Sequence, residues 1–315
     1  MSDIALSTMW AIGRFQKLAD FFQAGKELGF ARFELNHGVD STMLERLPLS
    51  APITSVHEPC PADISAETLK ARGWLVSALD EEERRQGVAA VQRSIDLAYE
   101  LGVGVVIVHP GRVDVDPSLE PRLIALRREG KAGGPEYVAA RERLLAARAT
   151  RAEAHMRSVR RSVLELAEHA VPRGVRLGLE NRDHVFEIPL PDELDELLHL
   201  SGDADAVGYW HDVGHGQVLA NLGFGSHEEW FQRFAGQMVG IHLHDVLDLE
   251  DHRAAGRGTV DWSMVARHLP AGILRTCEFR PSHSPEQVRA GLELLRHALN
   301  GVHPGPERRA HETGA

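Results

Sequence analysis

The chain has 315 residues, 43% hydrophobic and 26% charged, a balance that suits a globular domain with a sizeable core and excludes collagen-like, disordered and disulfide-scaffold classes. With 35 basic and 46 acidic residues its net charge is −11, which opposes general attraction to nucleic acid. No run of about 18 apolar residues offers a membrane span, the N-terminal MSDIALSTMW has no leader pattern, and two cysteines, Cys60 and Cys277, fit a reducing cytoplasm.

Short apolar, β-branched runs alternate with amphipathic stretches along the chain. Ile4–Met9 reads as a strand and Arg14–Leu28 as the helix after it. Strands over Ala31–Asn36 and Ile53–His57 precede a helix over Glu81–Leu101, in which Val88, Val91, Ile95, Leu97, Ala98 and Leu101 recur at helical spacing. A strand over Val103–His109 leads into residues 112–150, which read as a long insertion holding Lys131 and Pro135, before a helix over Ala152–Ala170. Strands over Val175–Glu180, Val207–Asp212, Met238–His244 and Ile273–Phe279 follow, interleaved with helices over Asp192–Leu200, His227–Phe234 and Pro285–Ala298. Residues 301–315 are rich in Pro, Gly and charge and read as a disordered tail.

Such alternation builds right-handed βαβ units on a parallel sheet, and eight of them closing on themselves give a (β/α)8 TIM barrel over residues 1–300, with the insertion after strand four. An open doubly wound sheet is disfavoured, because the turn after the first strand, Trp10-Ala11-Ile12-Gly13-Arg14, lacks a glycine-rich phosphate loop.

In a barrel the carboxyl ends of the strands form one rim. Here those ends read Glu34-Leu35-Asn36-His37, Val56-His57-Glu58, Val108-His109-Pro110, Leu179-Glu180-Asn181-Arg182, His211-Asp212-Val213-Gly214-His215, His242-Leu243-His244 and Cys277-Glu278-Phe279. Each alone has an ordinary structural explanation, a turn or a helix cap. Together they bring so many carboxylates and imidazoles to one rim that a cation is expected among them. Mixed nitrogen and oxygen donors suit Zn, Mn, Fe or Co better than Ca or Mg.

This pattern resembles the xylose isomerase-like TIM barrels, a superfamily of sugar isomerases and epimerases that also includes endonuclease IV. The resemblance implies a metal quartet of Glu180, Asp212, His242 and Glu278, with Glu180 and Glu278 serving also as the acid and base that move a proton. It implies further metal ligands at His57, His109, His215, Glu250 and His252, for one to three divalent ions, with Asp251 an alternative to Glu250. His215, His244, Arg257 and Asn36 are then candidates for substrate contact.

Two activities remain open on this sequence. The first is a metal-dependent isomerase or epimerase of a sugar, sugar phosphate or polyol ketose, in which the metal stabilises the enediolate left by proton removal. The alternative is phosphodiester hydrolysis of the endonuclease IV type. Residues 112–161 carry 12 Lys/Arg against 7 Asp/Glu, but interleaved as on a solvated helix face, as in Arg141-Glu142-Arg143. The expected partner is therefore a small carbohydrate rather than nucleic acid or a membrane, and a homo-oligomer is left open.

Overall fold

The computed structural model describes residues 4–48, 50–200 and 206–300. The segment 301–315, expected as a tail, lies outside them. Eight parallel strands close into a barrel: β1 (Ala5–Ser7), β2 (Arg32–Leu35), β3 (Ile53–His57), β4 (Val105–Val108), β5 (Arg176–Glu180), β6 (Val207–Asp212), β7 (Met238–Leu243) and, as the eighth stave, β10 (Leu274–Cys277). Between β7 and β10 a short antiparallel hairpin, β8 (Asp245–Leu247) with β9 (Glu250–Arg253), stands on the rim. Both faces of the strands are covered, so β6 and β7 are buried at every position. Among the described residues no helix is long and apolar enough to cross a membrane.

The helices depart from expectation in two places. The first begins at Leu18 rather than Arg14, because the backbone turns at Gly13 (φ 72°) and is still extended at Lys17. The insertion forms a helix over Leu119–Arg128 and, after a turn through Gly130 and Gly133, the start of one 36-residue helix, Pro135–Ala170, that continues into the expected barrel helix. No proline or glycine interrupts the sequence after Pro135, and its Ala, Arg, Glu and Leu are strong helix formers. Tyr137, Leu144 and Met156 on this helix are buried in the same apolar cluster as Leu123 and Leu126 of the preceding one.

The floor of the barrel positions the site above it. Trp210, fully buried on β6, packs with Ile107 and Val239 and presents its ring edge-on to His242 at 5.0 Å. That packing requires Gly240, since a Cβ there would lie 2.1 Å from the Trp210 ring. The β6–β7 register then sets Asp212 directly beside His242.

Candidate metal centre

At the carboxyl end of the barrel, Glu180 from β5, Asp212 from β6, His242 from β7 and Glu278 just past β10 bring ligand atoms within 4.8 Å of one another. His242 Nδ1 lies 2.7 Å from Glu180 Oε1, 3.0 Å from Glu278 Oε2 and 3.5 Å from Asp212 Oδ2, and none of the four side chains is more than 2% exposed. Burial disfavours the His242 charge, but Glu278 and Glu34 outweigh it and hold this imidazole well above its ordinary range. Burial likewise opposes ionisation of Glu180, Asp212 and Glu278, and the surrounding histidines reverse it, so all three carboxyls sit below the usual carboxylate range.

This donor set fits a divalent cation. Three carboxylates converge on one imidazole nitrogen, and the buried Oε1 of Glu278 has no hydrogen-bond partner among the described residues. The other face of His242 is also prepared. Its Nε2–H meets the fully buried Glu34 carboxylate at 3.1 and 3.3 Å, and Ser55 Oγ donates to the same carboxylate at 2.7 Å. A carboxylate behind a histidine ligand fixes the ring and its tautomer, leaving Nδ1 facing the three acids. Glu34 was visible at the end of strand two, but its sequence neighbours give no sign of this role.

A second cluster forms beside the first. His215 Nδ1–H donates to the Asn181 carbonyl at 2.9 Å, which leaves Nε2 free to accept, 3.9 Å from both Asp183 and Asp251. Asp251 pairs with His252 Nδ1 at 2.9 Å, and His252 Nε2 lies 3.6 Å from Glu278. His215, Asp251 and His252 meet the distance requirement of a metal site. Glu250, expected here from the sequence, is instead turned to solvent and paired with Arg253 at 2.8 Å. The reason is local backbone: His252 adopts φ 51°, which breaks the strand alternation and lets consecutive Asp251 and His252 face one cluster.

The remaining expected residues divide between site and support. His244 accepts the His252 backbone N–H at Nδ1 (2.8 Å), so its Nε2–H donates to Asp212 (2.9 Å), and its ring stacks on His252 at 4.2 Å. It orients a carboxylate of the quartet, over a Gly214 whose Cβ would lie 2.0 Å from the imidazole. Asn36 is buried, its Oδ1 accepting from Thr8 Oγ1 and the Gly38 amide, while its Nδ2 is unpartnered. Arg257 is exposed on the hairpin side, and among the described residues its guanidinium makes no hydrogen bond or ion pair. His57 and His109 pack edge to face at 4.6 Å, with His109 Nε2 2.7 Å from Glu180 Oε2 and His57 Nε2 3.8 Å from the same oxygen. Arg182, read from the sequence as a rim residue at the end of strand five but given no part in the metal centre, closes this corner: its Nη1 lies 2.6 Å from Glu180 Oε2 and 2.7 Å from His109 Nε2. Cys60 and Cys277 are buried, with burial pushing both thiols well above their ordinary range, so neither offers a nucleophile.

Comparison with known proteins agrees with the barrel fold. The chain is 23% identical over 196 residues to the uncharacterized protein MJ1311 of Methanocaldococcus jannaschii, an alignment covering 61% of this chain and spanning about half (55%) of that relative's length. It superposes on a D-tagatose 3-epimerase-like protein with a TM-score of 0.66 and 19% identity, covering 95% of this chain and 98% of the other. It superposes also on the IOLI protein crystallised with a bound zinc atom, with a TM-score of 0.63 and 14% identity, covering 96% and 100%. The model of the xylose isomerase-like TIM barrel matches residues 22–298, most of the chain, and the chain therefore belongs to that family.

Proposed function

We propose that this protein is a metal-dependent isomerase or epimerase of a sugar, sugar phosphate or polyol ketose. The observation that carries the reading is the convergence of Glu180 and Glu278 on one nitrogen of His242, at 2.7 and 3.0 Å. Glu180, Asp212, His242 and Glu278 would hold one divalent ion, of the class Zn, Mn, Fe or Co. Bound there, such an ion supplies Lewis-acid polarisation of a substrate carbonyl and its adjacent hydroxyl. Glu180 and Glu278, both held ionised, take a proton from the carbon next to the carbonyl and return it. His244 keeps Asp212 in place, and Glu34 keeps His242 in place. Burial of the quartet lowers the local dielectric, which strengthens every charge interaction in the site.

A ketose assay with Glu180→Gln and Glu278→Gln, metal content measured alongside, tests the acid–base assignment: turnover should be lost in both at near wild-type stability. A variant that keeps much of the wild-type rate removes that residue from proton transfer. The His215–Asp251–His252 cluster favours a second reading, multinuclear phosphodiester hydrolysis. It predicts zinc-dependent incision of an abasic duplex, with binding that falls steeply as salt rises.

A further inference from the structure

Three residues in one corner of the centre satisfy the distances of a further metal site: His57, His109 and Glu180. Arg182 competes for the same atoms. A guanidinium only donates, and an imidazole nitrogen has a single lone pair. At 2.7 Å, Arg182 Nη1–H takes the lone pair of His109 Nε2, and the second hydrogen of Nη1 reaches Glu180 Oε2 at 2.6 Å. His109 therefore carries its own proton on Nδ1, toward Glu58, whose Oε1 is 3.9 Å away. His109 Nε2 and Glu180 Oε2 lie 2.7 Å apart, with Arg182 Nη1 within 2.7 Å of both.

The guanidinium is fixed from behind. Its Nε donates to Glu187 Oε2 at 3.1 Å, and Glu187 is anchored in turn by its backbone N–H to the His184 carbonyl and its own carbonyl to Arg148 Nη2. Both Arg182 and Glu187 are buried. An ion entering this corner would have to displace Arg182 from two partners while leaving Glu187 with only the half-exposed Lys70, 3.8 Å away, as its counter-charge.

We propose that Arg182 is a built-in cation that takes the place of a metal ion between His57, His109 and Glu180, so that no ion of its own is held in this corner. The inference rests on the metal reading of the quartet. Divalent ions are then left to the quartet and the groups that overlap or adjoin it, among them Asp212–His244–His252–Glu278 and His215–Asp251–His252. The Arg182 charge, unlike an ion's, stays when the protein is chelated and keeps Glu180 and His109 in place.

The test is a metal count. Metal-stripped protein is reloaded with Zn²⁺, desalted and measured by elemental analysis. His57→Ala/His109→Ala should carry the same number of ions per chain as wild type. Arg182→Met/Glu187→Gln, which removes the two opposed charges together, should gain one ion per chain, and the gain should vanish when His57→Ala and His109→Ala are added. Loss of one ion in His57→Ala/His109→Ala, or no gain in a folded Arg182→Met/Glu187→Gln protein, overturns the proposal. If the latter protein does not fold, the His57→Ala/His109→Ala count decides alone: equality with wild type supports the proposal and loss of an ion overturns it. Glu278→Gln, run in parallel, lowers the count only if the quartet reading is right, so failure of that reading shows separately.

Discussion

Glu34→Gln isolates the contribution of a buried carboxylate that touches no substrate. The substitution keeps the volume and an acceptor oxygen but removes the charge that faces His242 Nε2 at 3.1 Å. Loss of such a carboxylate behind a histidine ligand costs about 10- to 100-fold in metal affinity, or about 1.4–2.7 kcal/mol. At a free metal concentration of about 100 times the wild-type Kd, binding stabilises wild type by about 2.7 kcal/mol and a tenfold weaker variant by about 1.4 kcal/mol. With an unfolding entropy of about 2.1 cal/mol/K per residue, these are metal-induced rises in Tm of about 4 °C and about 2 °C. The metal-free Tm should not fall, because Glu180, Asp212 and Glu278 already crowd the same imidazole with negative charge. Paired thermal melts with and without Zn²⁺, and chelator competition for Kd, read both quantities. An unchanged Kd with an unchanged metal-induced Tm rise would refute the idea that Glu34 prepares His242 for the ion.

Other substitutions read the floor, the hairpin and the insertion. Gly240→Ala would put a methyl 2.1 Å from the Trp210 ring and should cost about 1–3 kcal/mol of stability, with altered tryptophan fluorescence; an unchanged denaturation midpoint and spectrum would contradict the packing. Asp251→Ala should lower zinc content or affinity while Glu250→Ala leaves both unchanged, and the reverse result would restore Glu250 as the ligand. The insertion helix is tied to the loop after β5 by His184 and Glu120 at 2.6 Å. Burial works against the His184 charge, but Glu120 and Asp183 prevail and raise it to about 9. Its stabilisation is therefore complete below about pH 6.5 and is lost as pH rises through about 9. The stability gap between wild type and His184→Gln should narrow over that window, and a gap constant with pH would remove the ion pair as its source.

Strand order and rim were legible because a barrel strand is buried on both sides and reads as a continuous apolar run, as Val105–Val108 does, with its polar residues held back to the end. That is why the carboxylates and imidazoles at the strand ends could be read together, whereas the choice of Glu180, Asp212, His242 and Glu278 as a quartet rested on the resemblance to the family. Long-range pairing left no comparable mark. Glu34 lies between Phe33 and Leu35 and finds His242 only because the closed sheet brings β2 across from β7. Arg182 follows Glu180 by two residues and would pass for a surface charge in a loop, until Glu187 fixes its guanidinium inward. The hairpin was illegible for a different reason. Glu250-Asp251-His252-Arg253 has no apolar alternation, and the hairpin turns on two left-handed residues, Asp248 and His252. The fusion of insertion and barrel helix into Pro135–Ala170 was hidden by the assumption that an insertion should end where the next repeat begins.

The central claim is that this site moves a proton on the carbon next to a sugar carbonyl, and solvent isotope exchange tests it most directly. Protein loaded with Zn²⁺ or Mn²⁺ is incubated with a panel of ketoses and ketose phosphates in D₂O, and deuterium in the sugar is followed by NMR. We expect deuterium at the carbon beside the carbonyl of at least one ketose, abolished by chelation and by Glu180→Gln or Glu278→Gln. No exchange into any ketose, together with clean incision of an abasic duplex by the same metal-loaded protein, would contradict it.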